Sequence, residues 1–153
     1  MVPYTFPMDC RSLTFFGTSQ PTRAAVADLL RASGVAPTRQ RVEIALAIYT
    51  RGAHLSADQL LALVNERQAE TSKATVYNTL NLLVGKGLLR EVIVDPGRVF
   101  YDPNVAPHHH WYNRDTGEIR DIAESDLVLD GVPSLPSGTV VEGVDIVVRV
   151  RNA

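Results

Sequence analysis

The 153-residue chain holds a single cysteine, Cys10, one tryptophan and two methionines. One cysteine excludes an internal disulfide and any Cys-rich zinc site. No apolar run approaches the roughly 20 residues that a membrane-spanning helix needs. The opening Met-Val-Pro-Tyr-Thr-Phe-Pro lacks a basic segment followed by a long apolar one, so no signal peptide is expected. These absences predict a soluble, cytoplasmic protein without a membrane partner. A large excess of one charge is absent too, since 15 Lys+Arg against 17 Asp+Glu leave −2. With 45% hydrophobic residues, that balance argues against wholesale disorder. It also means that only a local basic surface could hold a polyanion.

The small balance is unevenly spread. Residues 1–103 carry 11 basic and 9 acidic side chains, and residues 104–153 carry 4 and 8. Residues 1–19 show no helical or alternating period and are expected to form an N-terminal arm. From Arg23 the period is helical, with Val26, Leu29 and Leu30 on one stripe and a stop at Ser33-Gly34. A second helix is predicted from Thr38 to Gly52. A third follows Ser56, which forms a capping box with Gln59. A fourth follows Thr71-Ser72, carries Val76, Leu80, Leu83 and Val84 on one side, and stops at Gly85-Lys86-Gly87.

The pattern then becomes extended. Leu88–Val94 and Arg98–Tyr101 flank Asp95-Pro96-Gly97, a hairpin turn. Helices followed by a hairpin describe a winged helix-turn-helix over residues 20–103. After Pro103, two strands are predicted at His108–Asn113 and Glu118–Ile122, a short helix at Ala123–Leu129, and a last strand with Val144, Ile146, Val148 and Val150 alternating. Residues 104–153 have too little core to close their own edges, so pairing with a second copy is expected. The predicted class is α+β, a winged helix-turn-helix followed by a small α/β dimerisation domain.

Two groups of residues carry chemistry. On the fourth helix, the apolar stripe leaves Lys73, Tyr77, Asn78 and Asn81 on other faces, with Ser72 and Thr75 at its start. Asn pairs with adenine edges, an aromatic ring meets a thymine methyl, and hydroxyls at a helix N-terminus hold phosphate. Arg39 and Arg41 precede this helix and suit backbone phosphates, as do Arg51, Arg90 and Arg98. The second group is His108-His109-His110. On a strand, His108 and His110 share a face about 6.6 Å apart and can converge on one ion, while His109 points away. Asp102, Glu118 and Asp121 flank them, and His54 precedes the third helix. Nitrogen and carboxylate donors without thiolate suit Mn, Fe or Zn, and imidazole also ligates haem iron. Two readings besides a regulator stay open. His108, His110 and Asp121 could form the facial triad of a non-haem iron enzyme, or the chain could be a haem- or metal-binding module without DNA.

The run Ser72-Lys-Ala-Thr-Val-Tyr-Asn-Thr-Leu80, the Pro-Thr-Arg-Gln-Arg41 segment and His54-Leu-Ser-Ala57 resemble the ferric uptake regulator (Fur) family. Phe-Tyr-Asp102, Pro-His-His-His-Trp-Tyr112 and Thr-Gly-Glu-Ile-Arg-Asp-Ile122 are most similar to its haem-responsive branch, the iron response regulator (Irr). The resemblance covers about residues 23–151. It implies a homodimeric transcriptional regulator, not an enzyme, that binds palindromic double-stranded promoter DNA according to iron or haem status. By position, Tyr77 matches a base-contacting tyrosine, and His54, Asp102, His108, His110 and Asp121 match an inter-domain metal site. His108, His109 and His110 are associated with haem in that branch. Asn113 and Thr116 stand where the wider family often has a zinc-binding Cys pair, so that zinc is not expected. Cys10 is followed by Arg11 rather than the Pro of a Cys-Pro haem motif.

Overall fold

A computed structural model describes residues 20–67, 71–131 and 133–153. The predicted arm, residues 1–19, and Cys10 lie outside the described residues. The chain divides into two compact units, the first ending at Val105 and the second running from Ala106 to Ala153.

In the first unit, the helices start and stop where short-range chemistry dictates. Helix α1 (Arg23–Ala32) is capped by Thr22, whose hydroxyl accepts from the Ala25 amide at 3.2 Å. Helix α2 (Arg39–Arg51) is capped by Thr38 and ends at Gly52, which takes the left-handed φ of 55°. Before α3 (Ala57–Arg67), the Ser56 hydroxyl accepts from the Gln59 amide at 3.2 Å, and the Gln59 side chain accepts from the Ser56 amide at 2.9 Å. The predicted capping box is therefore present. Helix α4 (Lys73–Gly85) begins at Ser72. It ends with the Gly87 amide donating to the Val84 carbonyl and the Leu88 amide to the Leu83 carbonyl, the paired bonds of a glycine C-cap.

That cap corrects the expected start of the hairpin. Leu88 and its neighbour are buried in the turn that closes α4, so strand β1 runs Arg90–Asp95 and pairs antiparallel with β2 (Arg98–Asp102). Val26, Leu30, Ile44, Ile48, Leu60, Val76, Leu80 and Leu83 form the core of this unit. One buried position does not fit an apolar stripe. Glu43, 5% exposed, is paired with Arg23 of α1 through two nitrogens, Nε and Nη2.

In the second unit, β3 (His109–Asn113) lies between β4 (Ile119–Ile122), antiparallel to it, and β5 (Val147–Val150), parallel to it. Tyr112 on β3 is fully buried. The helix expected over Ala123–Leu129 is a single 3₁₀ turn, Glu124–Asp126. Ala123 and Leu127 on either side are extended, and three residues are too few to repay helix nucleation. The last strand is shorter than the alternation of Val144, Ile146, Val148 and Val150 suggested. Its Val148 and Val150 are 40% and 37% exposed, and Val128, Val140 and Val144 are also open to solvent. Alternation fixes a face only where something covers it, and nothing among the described residues covers this one. No described helix is long and apolar enough to cross a membrane.

Candidate nucleic-acid interface and metal-ligating residues

Helix α4 has two sharply different sides. Val76, Thr79, Leu80 and Leu83 are buried. Lys73, Ala74, Tyr77, Asn78 and Asn81 are exposed, and at 100° per residue they occupy one continuous arc of about 140°. Tyr77 presents a large ring there, 38% exposed. The sequence-predicted residues Lys73, Tyr77 and Asn78 therefore share one face.

The other predicted contacts are placed differently. Ser72 accepts from the Thr75 amide at 3.1 Å, and their hydroxyls meet at 2.9 Å, so both serve the helix cap. Arg39 is exposed at the start of α2. Arg41 donates from Nη1 to the Ala36 carbonyl at 3.2 Å, holding the turn before α2. Lys73 is already engaged. Its Nζ lies 2.8 Å from Asp58 Oδ1 and 5.7 Å from the centre of the Tyr77 ring. The hydrogen bond to Asp58, and then its charge, raise the Lys73 pKa above its ordinary value.

Asp58 and Asn65 were not singled out by sequence reasoning. Asn65 donates to the Thr71 carbonyl at 3.2 Å and accepts from the Thr71 amide at 3.1 Å, tying the end of α3 to the start of α4. An Asn in the last turn of a helix was the available signal, since such a side chain can bond backbone groups beyond the helix. For Asp58, the signal was an acid in the first turn of α3.

The predicted metal ligands fall into two groups, one in each unit. In the first, the Leu55 amide donates to the Tyr101 carbonyl at 3.2 Å and the Tyr101 amide to the Leu55 carbonyl at 2.8 Å. This backbone bridge sets the next residues side by side, and His54 Nε2 lies 3.1 Å from Asp102 Oδ2. Both side chains are nearly inaccessible, and Asp102 Oδ1 also accepts from the Asn104 amide at 2.7 Å.

In the second group, strand register does the positioning. His110 sits opposite Asp121 across β3 and β4. His108 and His110 are both buried, with ring centres 4.4 Å apart. Asp121 Oδ1 is 3.6 Å from His108 Nε2 and 3.8 Å from His110 Nε2. His108 Nδ1 lies 2.7 Å from the Ala106 carbonyl. A carbonyl only accepts, so Nδ1 carries the proton, and in the neutral ring Nε2 keeps a lone pair on the side of Asp121. Buried imidazoles converging on carboxylates are the donor set of a divalent-cation site, so these residues fit such an ion.

His109 is not brought together with its neighbours. Strand alternation turns it to the opposite face, and its buried Nδ1 has no hydrogen-bond partner among the described residues. Only His108 and His110 of the triple histidine converge.

The chain as a whole is similar to known proteins. Residues 32–130 match the ferric uptake regulator family. The chain is 30% identical over 108 residues to ferric uptake regulation protein 1 of Mycolicibacterium fortuitum, covering 70% of this chain and 65% of that one. It is 35% identical over 92 residues to the ferric uptake regulation protein of Synechococcus elongatus, covering 58% and 62%. The matched part thus spans less than two thirds of these relatives' length. Among solved structures, the ferric uptake regulator of Pseudomonas aeruginosa with manganese has a TM-score of 0.62 at 23% identity, over 82% of this chain and 96% of that one. The fold is the winged helix followed by a small α/β domain that the sequence predicted, and the chain belongs to the ferric uptake regulator family.

Proposed function

We propose that the protein is a metal-responsive transcriptional regulator that binds palindromic promoter DNA as a homodimer. The observation that carries this reading is the exposed arc of α4, with Lys73, Tyr77 and Asn78 opposite a buried stripe. A helix so divided enters the major groove with its open side. Tyr77 and Asn78 read base edges, and Lys73 and Arg39 hold phosphates. Ser72, Thr75 and Arg41 shape the backbone that presents them. The open apolar residues of the second unit, Val128, Val140, Val144, Val148 and Val150, support pairing with a second copy.

Regulation is assigned to His54, Asp102, His108, His110 and Asp121, acting as one set for Mn, Fe or Zn. A divalent cation held there would supply the positive charge that draws the imidazole lone pairs and the carboxylates together. The backbone bridge at Leu55 and Tyr101 orients the first two donors, and the Ala106 carbonyl orients His108. Donors contributed by both units would fix the angle between them. In a dimer that angle sets the spacing of two recognition helices against half-sites that repeat about every 34–36 Å.

Haem is the second effector we infer, with His108, His109 and His110 as the candidate residues. The unpartnered Nδ1 of His109 supports it. Similarity to the haem-responsive Irr branch in the Pro-His-His-His-Trp-Tyr112 segment points the same way.

Mobility shift on a palindromic iron-responsive promoter, with Mn, Fe or haem added, tests these assignments. DNA binding that responds to the effector is expected. Tyr77→Ala should abolish the shift and leave metal and haem binding intact. Loss of haem binding in His109→Ala, with metal binding unchanged, is the outcome the haem assignment requires. Absence of any DNA binding removes the regulator reading and leaves a metal module or an enzyme.

A further inference from the structure

Lys73 opens the exposed face of α4, one turn before Tyr77, yet its ammonium is turned to Asp58 on α3 at 2.8 Å. The same ammonium lies over the Tyr77 ring at 5.7 Å, so pair and ring stand together on the face assigned to DNA. Both side chains of the pair are more than half exposed, and such pairs open at little cost. A carboxylate and a phosphate diester are rival acceptors for one ammonium.

We propose that Asp58 is an internal competitor for DNA phosphate. It holds the Lys73 ammonium, so the face gains that positive charge only when the ion pair opens, and affinity for duplex DNA stays below what Lys73 alone would allow. The inference rests on the DNA-binding reading and adds a residue that attenuates it.

Affinity for a palindromic promoter duplex and for a non-specific duplex of equal length, measured across a salt series, tests the proposal. Asp58→Asn, which keeps size and removes charge, should bind both duplexes about twofold to fivefold more tightly. Its plot of log affinity against log salt should be steeper by up to about 0.9, the slope of one added phosphate contact. In the Lys73→Met background, Asp58→Asn should produce neither change. Asp58→Glu, which keeps the charge, should stay near wild type.

Duplex binding unaltered by Asp58→Asn overturns the proposal and leaves the DNA-binding reading standing. So does a gain that persists without Lys73, because the effect would then be general charge removal. Absence of duplex binding by wild type and all variants overturns both.

Discussion

The Asn65 side chain holds Thr71 by both of its backbone polar groups, at 3.1 Å and 3.2 Å. Thr71 is buried, so losing these bonds would leave its amide and carbonyl without partners in a site that water reaches poorly. Asn65→Ala should cost about 1–3 kcal/mol, read as a lower urea midpoint with an unchanged slope. DNA affinity should fall as well, because the same bonds position the start of α4. A midpoint equal to that of wild type would show that the bonds do not hold the two helices together.

Gly52 ends α2 with a φ of 55°, a conformation that costs an L side chain about 1 kcal/mol or more. Gly52→Ala should be destabilised by about that amount in thermal or urea unfolding. Gly85 closes α4 without a positive φ, and a Cβ there meets open space. Gly85→Ala should therefore not be destabilised, which makes it the internal control.

Glu43 is buried against Arg23, whose own side chain is largely in solvent. Removing the cation leaves a carboxylate with little water and no counter-charge. Arg23→Met should lower the unfolding midpoint, and adding Glu43→Leu should restore much of it. If the double variant is no more stable than Arg23→Met, the carboxylate is not the source of the loss.

Burial pushes the Tyr101 hydroxyl above its ordinary pKa of 10.0, and Glu91 and Tyr77 add to the shift. The folded chain thus keeps this proton at a pH where the unfolded chain has released it. The associated stability is complete below the unfolded value and is lost as pH rises through the folded one. Tyr101→Phe should remove that part of the alkaline decline, measured as the urea midpoint at neutral pH and above pH 10.0. Parallel curves for the two proteins would rule out Tyr101 as a contributor.

For the proposed effector site, divalent metal at about 100 times its dissociation constant should stabilise the fold by about 2.7 kcal/mol. Calorimetric unfolding with and without Mn should show the shift in wild type. His110→Ala and Asp121→Ala should lose it, and Asn78→Ala should keep it. Equal shifts in all of these proteins would place the ion elsewhere.

Features set within a few residues were readable in the sequence. The helix starts at Arg23, next to Thr38 and after Ser72, the Ser56–Gln59 box and the hairpin turn depend on neighbours along the chain, and each lies where the sequence places it. The convergence of His108 and His110 followed from strand alternation. Glu43 was not readable, because a charged residue in a helix reads as solvent-facing until Arg23, 20 residues earlier, is known to reach it. The pairing of His54 with Asp102 depends on a backbone bridge between distant segments and came only from family resemblance. The 3₁₀ turn at Glu124–Asp126 is shorter than the helix expected over Ala123–Leu129, because Ala123 and Leu127 on either side are extended.

The parallel pairing of β3 with β5 has a consequence for how the protein is made. His110 on β3 lies opposite Val147, 37 positions later. On a ribosome, β4 follows its neighbour within a few residues and can pair at once. The other edge of the histidine-bearing strand waits until Val147–Val150 has emerged, and such distant closure is slow. The newly made protein therefore passes through a stage in which its first unit has already emerged while the strand that carries His109 and His110 still has one edge unpaired.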